Sequence, residues 1–342
     1  MTYTLGAGNS VETLRTTNDT GTAAINLTGN EINNTIVGND GNNDVNGRGG
    51  SDVIDGRGGI DTVNYLGHSV GVTVVLGQNG APGFAYEFAL VTNQVVMTGF
   101  DTLFNVENVE GSTQGDTLVG NELVNQLRGF NGNDVYVVQN AGDTIVELAN
   151  QGADEVRTSV SYTLAATNAD IETLRTTDET GTAAINLTGN GVANQIFGNA
   201  GNNVIDGGGN NDRITGGRGL DTLIGNAGGD TFVWRDVAET GVTAATADLI
   251  QDFSFTAGDR IDLSQIDANV FAPNDQPFQF IGQAAFSLNG ATADPSDLVP
   301  GEIRFFHSGN ETVIELQTGT SADIEAVIRI AGIVTPEGNW FV

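Results

Sequence analysis

The chain has 342 residues, 48 of them glycine and none cysteine, and its formal net charge at pH 7 is −31. The lack of cysteine excludes a disulfide scaffold, a thiolate metal site and a cysteine nucleophile, and a charge this negative argues against a nucleic-acid partner. Hydrophobic residues make up 39% of the sequence at regular spacing, which argues against disorder throughout the chain.

A nine-residue repeat that begins with glycine runs through three parts of the chain. It starts at Gly29 with four copies, resumes at Gly111 with three and returns at Gly189 with five. The sixth position is Asp in seven copies and Asn in five, and the eighth is apolar in all twelve. Glycine permits tight turns, and the apolar residue of a short strand points inward. The pattern predicts an all-β fold, a parallel β-roll or β-helix solenoid in which two nonapeptides form one 18-residue coil.

A longer duplication and two spacers complete the organisation. The segment Gly21–Asn30 recurs identically as Gly181–Asn190, at an offset of 160 residues. Residues 65–110 and 138–188 lack the nonapeptide but contain alternating runs typical of strands, and we expect them to continue the β stack. Apolar runs such as Val72–Leu76 are too short to span a membrane. We predict these segments: 1–64, a partial repeat unit and the first roll block; 65–110, a spacer; 111–137, the second block; 138–188, a spacer; 189–233, the third block; 234–342, a β-rich C-terminal domain.

The stacked turns have the chemistry of calcium sites. Residues 18 apart lie one above another, about 4.8 Å apart along the ladder, and calcium–oxygen bonds are about 2.3–2.6 Å, so an ion midway bonds to both. Magnesium needs a tighter octahedron, and zinc prefers nitrogen and sulfur. The predicted ligands are the side chains of Asp52, Asp61, Asp116, Asp134, Asp212, Asp221, Asp230, Asn34, Asn43, Asn194 and Asn203, and the turn backbones of Gly207, Gly208, Gly209, Gly216, Gly217 and Gly219.

The pairs of sixth-position residues differ in charge. Asp116 with Asp134, and Asp212 with Asp230, join two carboxylates, whereas the other pairs join Asn to Asp. Because an Asn oxygen brings no charge, we expect the mixed sites to bind calcium more weakly. The alternative is that the Asx residues serve only turns and ladders.

The segment Gly216–Ile224 fits the pattern glycine-glycine-x-glycine-x-aspartate-x-apolar-x. It resembles the repeats-in-toxin (RTX) family of calcium-binding β-rolls, and this resemblance implies several bound Ca²⁺ ions. Several copies depart from the pattern; for example, Gly111–Gln114 lacks the fourth-position glycine, and Glu122–Val124 interrupts the next copy.

The region 189–342 is similar to the C-terminal domain of serralysin-type secreted metalloproteases. The resemblance implies that Asp252 and Asp259, which flank a turn, bind calcium; the alternative is a solvated turn. The apolar tail Asn339–Val342 is similar to the uncleaved export signal of proteins that leave the cell through a one-step, type I ABC transporter. The alternative for the tail is a final edge strand packed on the domain.

We find no complete catalytic set in the sequence. The zinc-binding His-Glu-x-x-His motif of the serralysin protease domain has no counterpart, and His68 and His307 stand alone. The letters Gly-x-Ser-x-Gly occur once, at Gly67–Gly71, but a nucleophile elbow also requires a strand-to-helix turn, which the predicted all-β fold does not supply. A phosphate loop is missing. We therefore expect that the chain is not an enzyme.

The function predicted from these features is that of a secreted, extracellular calcium-binding protein that folds after export. Its expected partners are calcium ions and the export machinery, with no nucleic acid and no membrane span. One alternative is a structural or adhesive cell-surface protein, in which residues 65–110 or the C-terminal region contact a cell-surface or polysaccharide partner. Another is the export module of a larger secreted enzyme.

Overall fold

The computed structural model describes residues 1–91, 94–165, 170–268, 277–285, 301–318 and 324–342. The chain divides into two compact units. Unit 1 comprises Met1–Val160 and Ala165–Thr173, and unit 2 comprises Ser161–Leu164 and Leu174–Val342. Within the described ranges the regular structure is β-strand, apart from two short 3₁₀ helices, Val237–Glu239 and Gly338–Trp340. None of the described helices is long and apolar enough to cross a membrane.

Short strands follow one another through the described residues, and the boundary between the units falls within β18. The strands of unit 1 are β1 (Thr2–Thr4), β2 (Thr13–Arg15), β3 (Asn26–Thr28), β4 (Thr35–Val37), β5 (Asp44–Asn46), β6 (Val53–Asp55), β7 (Thr62–Asn64), β8 (Val72–Val75), β9 (Gly83–Val91), β10 (Gln94–Phe104), β11 (Asn108–Glu110), β12 (Thr117–Val119), β13 (Gln126–Arg128), β14 (Val135–Val138), β15 (Thr144–Ile145) and β16 (Glu155–Thr158). The strands that follow are β17 (Tyr162–Thr163), β18 (Thr173–Thr176), β19 (Leu187–Thr188), β20 (Gln195–Phe197), β21 (Val204–Asp206), β22 (Arg213–Thr215), β23 (Thr222–Ile224), β24 (Thr231–Val233), β25 (Asp248–Ile250), β26 (Arg260–Asp262), β27 (Gln279–Gly282), β28 (Glu302–Ser308), β29 (Glu311–Gln317) and β30 (Ala326–Ala331).

Unit 1 is a roll of two sheets to which successive strands contribute in turn. One sheet has the order β1-β3-β5-β7-β11-β13-β15, and the other has β2-β4-β6-β10-β9-β8-β12-β14-β16. Ile36 pairs with Ile54 and Val45 with Val63, both at an offset of 18 residues. The structure thus confirms the parallel roll and the two-nonapeptide coil.

The first spacer adds a feature that the repeat pattern does not predict. Strands β8 and β11 pair in parallel with their neighbours, as expected for a continued stack. Strands β9 and β10, by contrast, form a long antiparallel hairpin, and β9 is also antiparallel to β8. Alternation of apolar and polar residues marks a strand without indicating its direction, so the sequence could not distinguish a hairpin from further coils.

Unit 2 contains the third nonapeptide block and continues beyond it. Strands β20, β22, β24 and β26 form one parallel run, and the other sheet has the order β17-β19-β21-β23-β25-β30-β29-β28-β27. Parallel pairing therefore continues past residue 233 through β25 and β26, and then β28, β29 and β30 pair antiparallel. Near the C-terminus, Phe341 forms a parallel bridge with Ile261.

The core follows the eighth position of the repeat. Every eighth-position residue is at most 1% exposed, from Ile36 in the first copy to Phe232 in the last. A fully buried side chain of this size contributes about 1.5–3 kcal/mol. The nine-residue period therefore fixes both the inward face of each strand and the position of each turn outside it.

Candidate metal centres in the nonapeptide turns

The sixth-position side chains form hydrogen-bonded ladders along the turns. In each step, a side-chain oxygen accepts the backbone N–H of the sixth-position residue one coil earlier. Asn34 donates to Oδ1 of Asp52 at 2.6 Å, and Asn203 donates to Oδ1 of Asp221 at 2.8 Å. The predicted stacking is therefore present, but one oxygen of each carboxylate is engaged by the protein itself. Only the second oxygen remains available to an ion without loss of this bond.

The ladders extend beyond the nonapeptides through acidic residues, most of which the repeat pattern does not identify. These residues accept N–H bonds in the same way: Asp101, Glu107, Asp143, Asp154, Glu172, Asp248 and Asp259. Each is followed two residues later by an apolar residue, as at positions six and eight of the nonapeptide. This acid-x-apolar triplet is a sequence signal that a search anchored on glycine overlooks.

The twelve turns fall into two kinds, and the first kind is closed. In a closed turn, the backbone N–H of the second residue donates to the sixth-position side chain, as Asn30 does to Oδ1 of Asn34 at 2.9 Å. The sixth-position residues of the closed turns are Asn34, Asn43, Asn125, Asn194, Asn203 and Asp116. In Asn34 and Asn203 the amide Nδ2 also donates to a carbonyl of the preceding coil. The polar atoms of these asparagines are thus satisfied within the protein.

The second kind of turn is open and always carries aspartate at the sixth position. In an open turn the second residue has a left-handed backbone, with φ between 62° and 97° at Arg48, Arg57, Phe130, Gly208, Gly217 and Asn226. Its N–H therefore points away from the sixth position; that of Arg48, for example, donates to Oδ1 of Asn46. The Oδ2 atom is left buried and without a hydrogen-bond partner in Asp52, Asp61, Asp134, Asp212, Asp221 and Asp230.

Burial disfavours the ionised form of these six carboxylates. Desolvation raises the pKa of Asp52, Asp61 and Asp212 to about 7, and that of Asp134 and Asp221 to about 8. Neighbouring carboxylates add to this: Asp248 raises the pKa of Asp221 further. A bound divalent cation compensates such charge and reverses the effect on the pKa. The donor set consists of oxygen atoms alone, which suits calcium.

The structure thus separates the predicted ligands into groups. The six open-turn aspartates offer a free oxygen, and the predicted glycines belong to two of their turns. Asn34, Asn43, Asn194 and Asn203 lie in closed turns, an arrangement that favours the alternative role in turns and ladders. Asp116 also lies in a closed turn, because Ser112 donates to both of its carboxylate oxygens. The sequence predicts that Asp116 and Asp134 form one of the two strongest calcium-binding pairs. In the structure, however, both carboxylate oxygens of Asp116 already accept hydrogen bonds.

The two aspartates predicted from the C-terminal resemblance lie beside the last open turn. Asp252 accepts N–H bonds from Gly225 at 2.9 Å and Asn226 at 2.7 Å. Asp259 accepts N–H bonds from Asp230 at 2.9 Å and Ser254 at 2.7 Å. All four oxygens therefore have protein donors, and calcium binding by this pair stays a prediction.

Comparison with known proteins identifies the repeats. A family model described as the RTX calcium-binding nonapeptide repeat matches residues 28–63, 110–145, 188–223 and 206–233. No curated protein matches the sequence. Among solved structures, the extracellular lipase LipA from Serratia marcescens matches at 13% identity with a TM-score of 0.15, over 95% of this chain and 40% of the lipase chain. The chain thus spans less than half of that structure, and a likeness this low carries no argument about activity.

Proposed function

We propose that this chain, which carries the RTX calcium-binding nonapeptide repeat, is a secreted protein that completes its folding outside the cell by binding calcium in its six open turns. The observation that supports this proposal is the set of six buried aspartates, each with one oxygen held by the preceding coil and one oxygen unpartnered. The closed turns contribute hydrogen bonds instead, so the number of ions is set by the open turns.

Calcium couples to folding because the buried carboxylates are costly without it. An uncompensated buried charge costs several kcal/mol, and each open turn adds one such group. When an ion binds only the folded chain, its binding energy becomes folding energy. In a calcium-poor cytosol the chain would stay loose enough for type I export, and about millimolar calcium outside the cell would fold it.

Circular dichroism and calcium counting test this proposal on the full chain. In chelator we expect a weak β signal in the far-ultraviolet and a low thermal midpoint; after calcium is added, both rise. Equilibrium dialysis followed by elemental analysis is expected to find about six ions in the turns. An unchanged spectrum and midpoint on addition of calcium would contradict the proposal.

The role we propose for the chain itself is not catalytic, as the sequence predicts. The proposal is tested by incubating the calcium-loaded protein with casein and with a p-nitrophenyl ester. Turnover that is retained after purification to homogeneity, and lost on heat denaturation, would contradict it. The alternative of an export module within a larger secreted enzyme is tested separately by the coding sequence upstream of the chain.

A second candidate function, adhesion to a surface partner, is favoured by the β9–β10 hairpin. Phe88, Met97 and Phe100 are each between 44% and 49% exposed, and the Phe84 and Phe100 rings stack with centroids 6.1 Å apart. Exposed apolar clusters on soluble proteins often mark contact surfaces. Replacement of Phe88 and Phe100 by serine should abolish retention on the producing cells if this function operates, whereas unchanged retention would exclude a role of this hairpin in adhesion.

A further inference from the structure

Three buried carboxylates converge where the second nonapeptide block meets the following spacer. Asp134 is the sixth-position residue of the last nonapeptide and precedes β14. Glu147 follows β15, and Asp154 precedes β16. All three are at most 2% exposed. Two of the three thus lie outside the nonapeptides.

Each of these carboxylates is anchored through one oxygen. Oδ1 of Asp134 accepts the Asp116 N–H at 2.7 Å, and Oδ1 of Asp154 accepts the Asp134 N–H at 2.8 Å. Oε1 of Glu147 accepts the hydroxyl of Tyr136, which in turn accepts the Gly129 N–H at 2.7 Å. The remaining oxygens, Oδ2 of both aspartates and Oε2 of Glu147, are buried and have no hydrogen-bond partner.

The spacing of the three groups matches a single cation. One carboxylate oxygen from each residue lies within 4.8 Å of the other two, and an ion that bonds to oxygen at about 2.4 Å spans such distances. None of the ion pairs among the described residues involves these three side chains. Three adjacent carboxylates without a positive partner repel strongly in a buried setting, so the arrangement lacks a compensating charge.

We propose that Asp134, Glu147 and Asp154 form a calcium site that fastens the β15–β16 spacer to the end of the second nonapeptide block. It differs from the other open turns because a glutamate from the spacer, held by the Tyr136 hydroxyl, enters the site. Magnesium fits less well, because it retains several waters and these ligands are almost fully buried. The proposal does not depend on calcium in the other turns.

Terbium luminescence tests the site, since Tb³⁺ replaces calcium and accepts energy from a nearby aromatic ring. The full chain is titrated with Tb³⁺ under tyrosine excitation, and bound calcium is counted in parallel. Glu147→Gln keeps the shape of the side chain and removes its charge; the exposed Glu122→Gln is the matched control. We expect Glu147→Gln to lose one calcium ion and part of the sensitised emission, and Glu122→Gln to match the wild type.

A second variant keeps the test decisive if Glu147→Gln folds poorly. Tyr136→Phe leaves all three carboxylates but removes the hydroxyl that positions Glu147. Because it also removes the tyrosine beside the site, calcium binding by this variant is measured by equilibrium dialysis, and we expect one ion to bind several-fold more weakly. Unchanged calcium binding in both variants, together with unchanged terbium emission in Glu147→Gln, would overturn the proposal. If the other turns bind no calcium, a single ion lost in Glu147→Gln would still support this site.

Discussion

Replacing one open-turn aspartate by asparagine should have opposite effects on stability with and without calcium. Asp221 is suited to this test because Oδ1 accepts the Asn203 N–H at 2.8 Å while Oδ2 is buried and unpartnered. Asp221→Asn preserves the first bond and the shape of the side chain. The substitution removes the negative charge and replaces the free carboxylate oxygen with an amide NH2 group.

The size of the effect in chelator follows from the pKa of Asp221. Burial raises this pKa from 3.8 to about 8, so at pH 7 the folded state either takes up a proton or holds a buried charge. About three pH units separate pH 7 from the ordinary value, which corresponds to roughly 4 kcal/mol. An unsatisfied amide group costs about 1–3 kcal/mol in return. We therefore expect the variant to be more stable than the wild type in chelator by about 1–3 kcal/mol.

In calcium the sign should reverse. An ion at 100 times its dissociation constant stabilises the folded state by about 2.7 kcal/mol, and the variant forfeits most of this at one site. Both tryptophans, Trp234 and Trp340, are buried in unit 2, so thermal unfolding followed by tryptophan fluorescence reports on the unit that contains Asp221. With about 2–4 °C per kcal/mol for a unit of this size, midpoint shifts of several degrees are expected in each buffer.

The control is an aspartate in a closed turn. Asp116→Asn loses an acceptor for the Ser112 N–H but no free oxygen, so its effect on stability should be the same in chelator and in calcium. It is followed by circular dichroism, because Asp116 lies in unit 1. A loss of stability for Asp221→Asn in both buffers would refute the reasoning, since it would mean that Asp221 is a structural acceptor only.

Three further outcomes are expected. In chelator, the free energy of unfolding should fall as the pH rises from about 4 to 8. Groups with a raised folded-state pKa, such as Asp134 at about 8, contribute stability below their unfolded-state pKa, and this contribution is lost as they ionise in the folded state. Calcium should remove this trend in thermal midpoints measured across pH. Gly217→Ala should lower the midpoint by an amount equivalent to about 1–2 kcal/mol or more, because φ is +91° and a Cβ would strike the Asn199 carbonyl; Gly191→Ala, with open space around it, should be neutral. Leu223→Ala should cost about 2–5 kcal/mol in chemical denaturation because Leu223 is fully buried, whereas Leu220→Ala, 39% exposed, should cost far less.

The nine-residue period by itself determined the architecture of the roll. A glycine at the first position and an apolar residue at the eighth repeat often enough to fix the turns, the inward face and the 18-residue register, because these depend on local backbone freedom and side-chain alternation. The parallel pairing of Ile36 with Ile54 and the burial of every eighth-position residue follow directly. The stacked carboxylates also predict calcium as the ligand, and the family model that matches these repeats describes them as calcium-binding.

Tertiary structure decided which turns are open. The second residue of the nonapeptide correlates with the kind of turn in eleven of the twelve copies: Asn or Ser there donates to the sixth position and closes the turn, whereas Gly, Arg or Phe there has the left-handed backbone of an open turn. Asn226 breaks this rule and lies in an open turn at φ 62°, because Asp252, 26 residues away, takes its N–H. Glu147 likewise reaches Asp134 only through the folded spacer and the Tyr136 hydroxyl. Such contacts join residues whose separation follows no period, so only the packed chain brings them together.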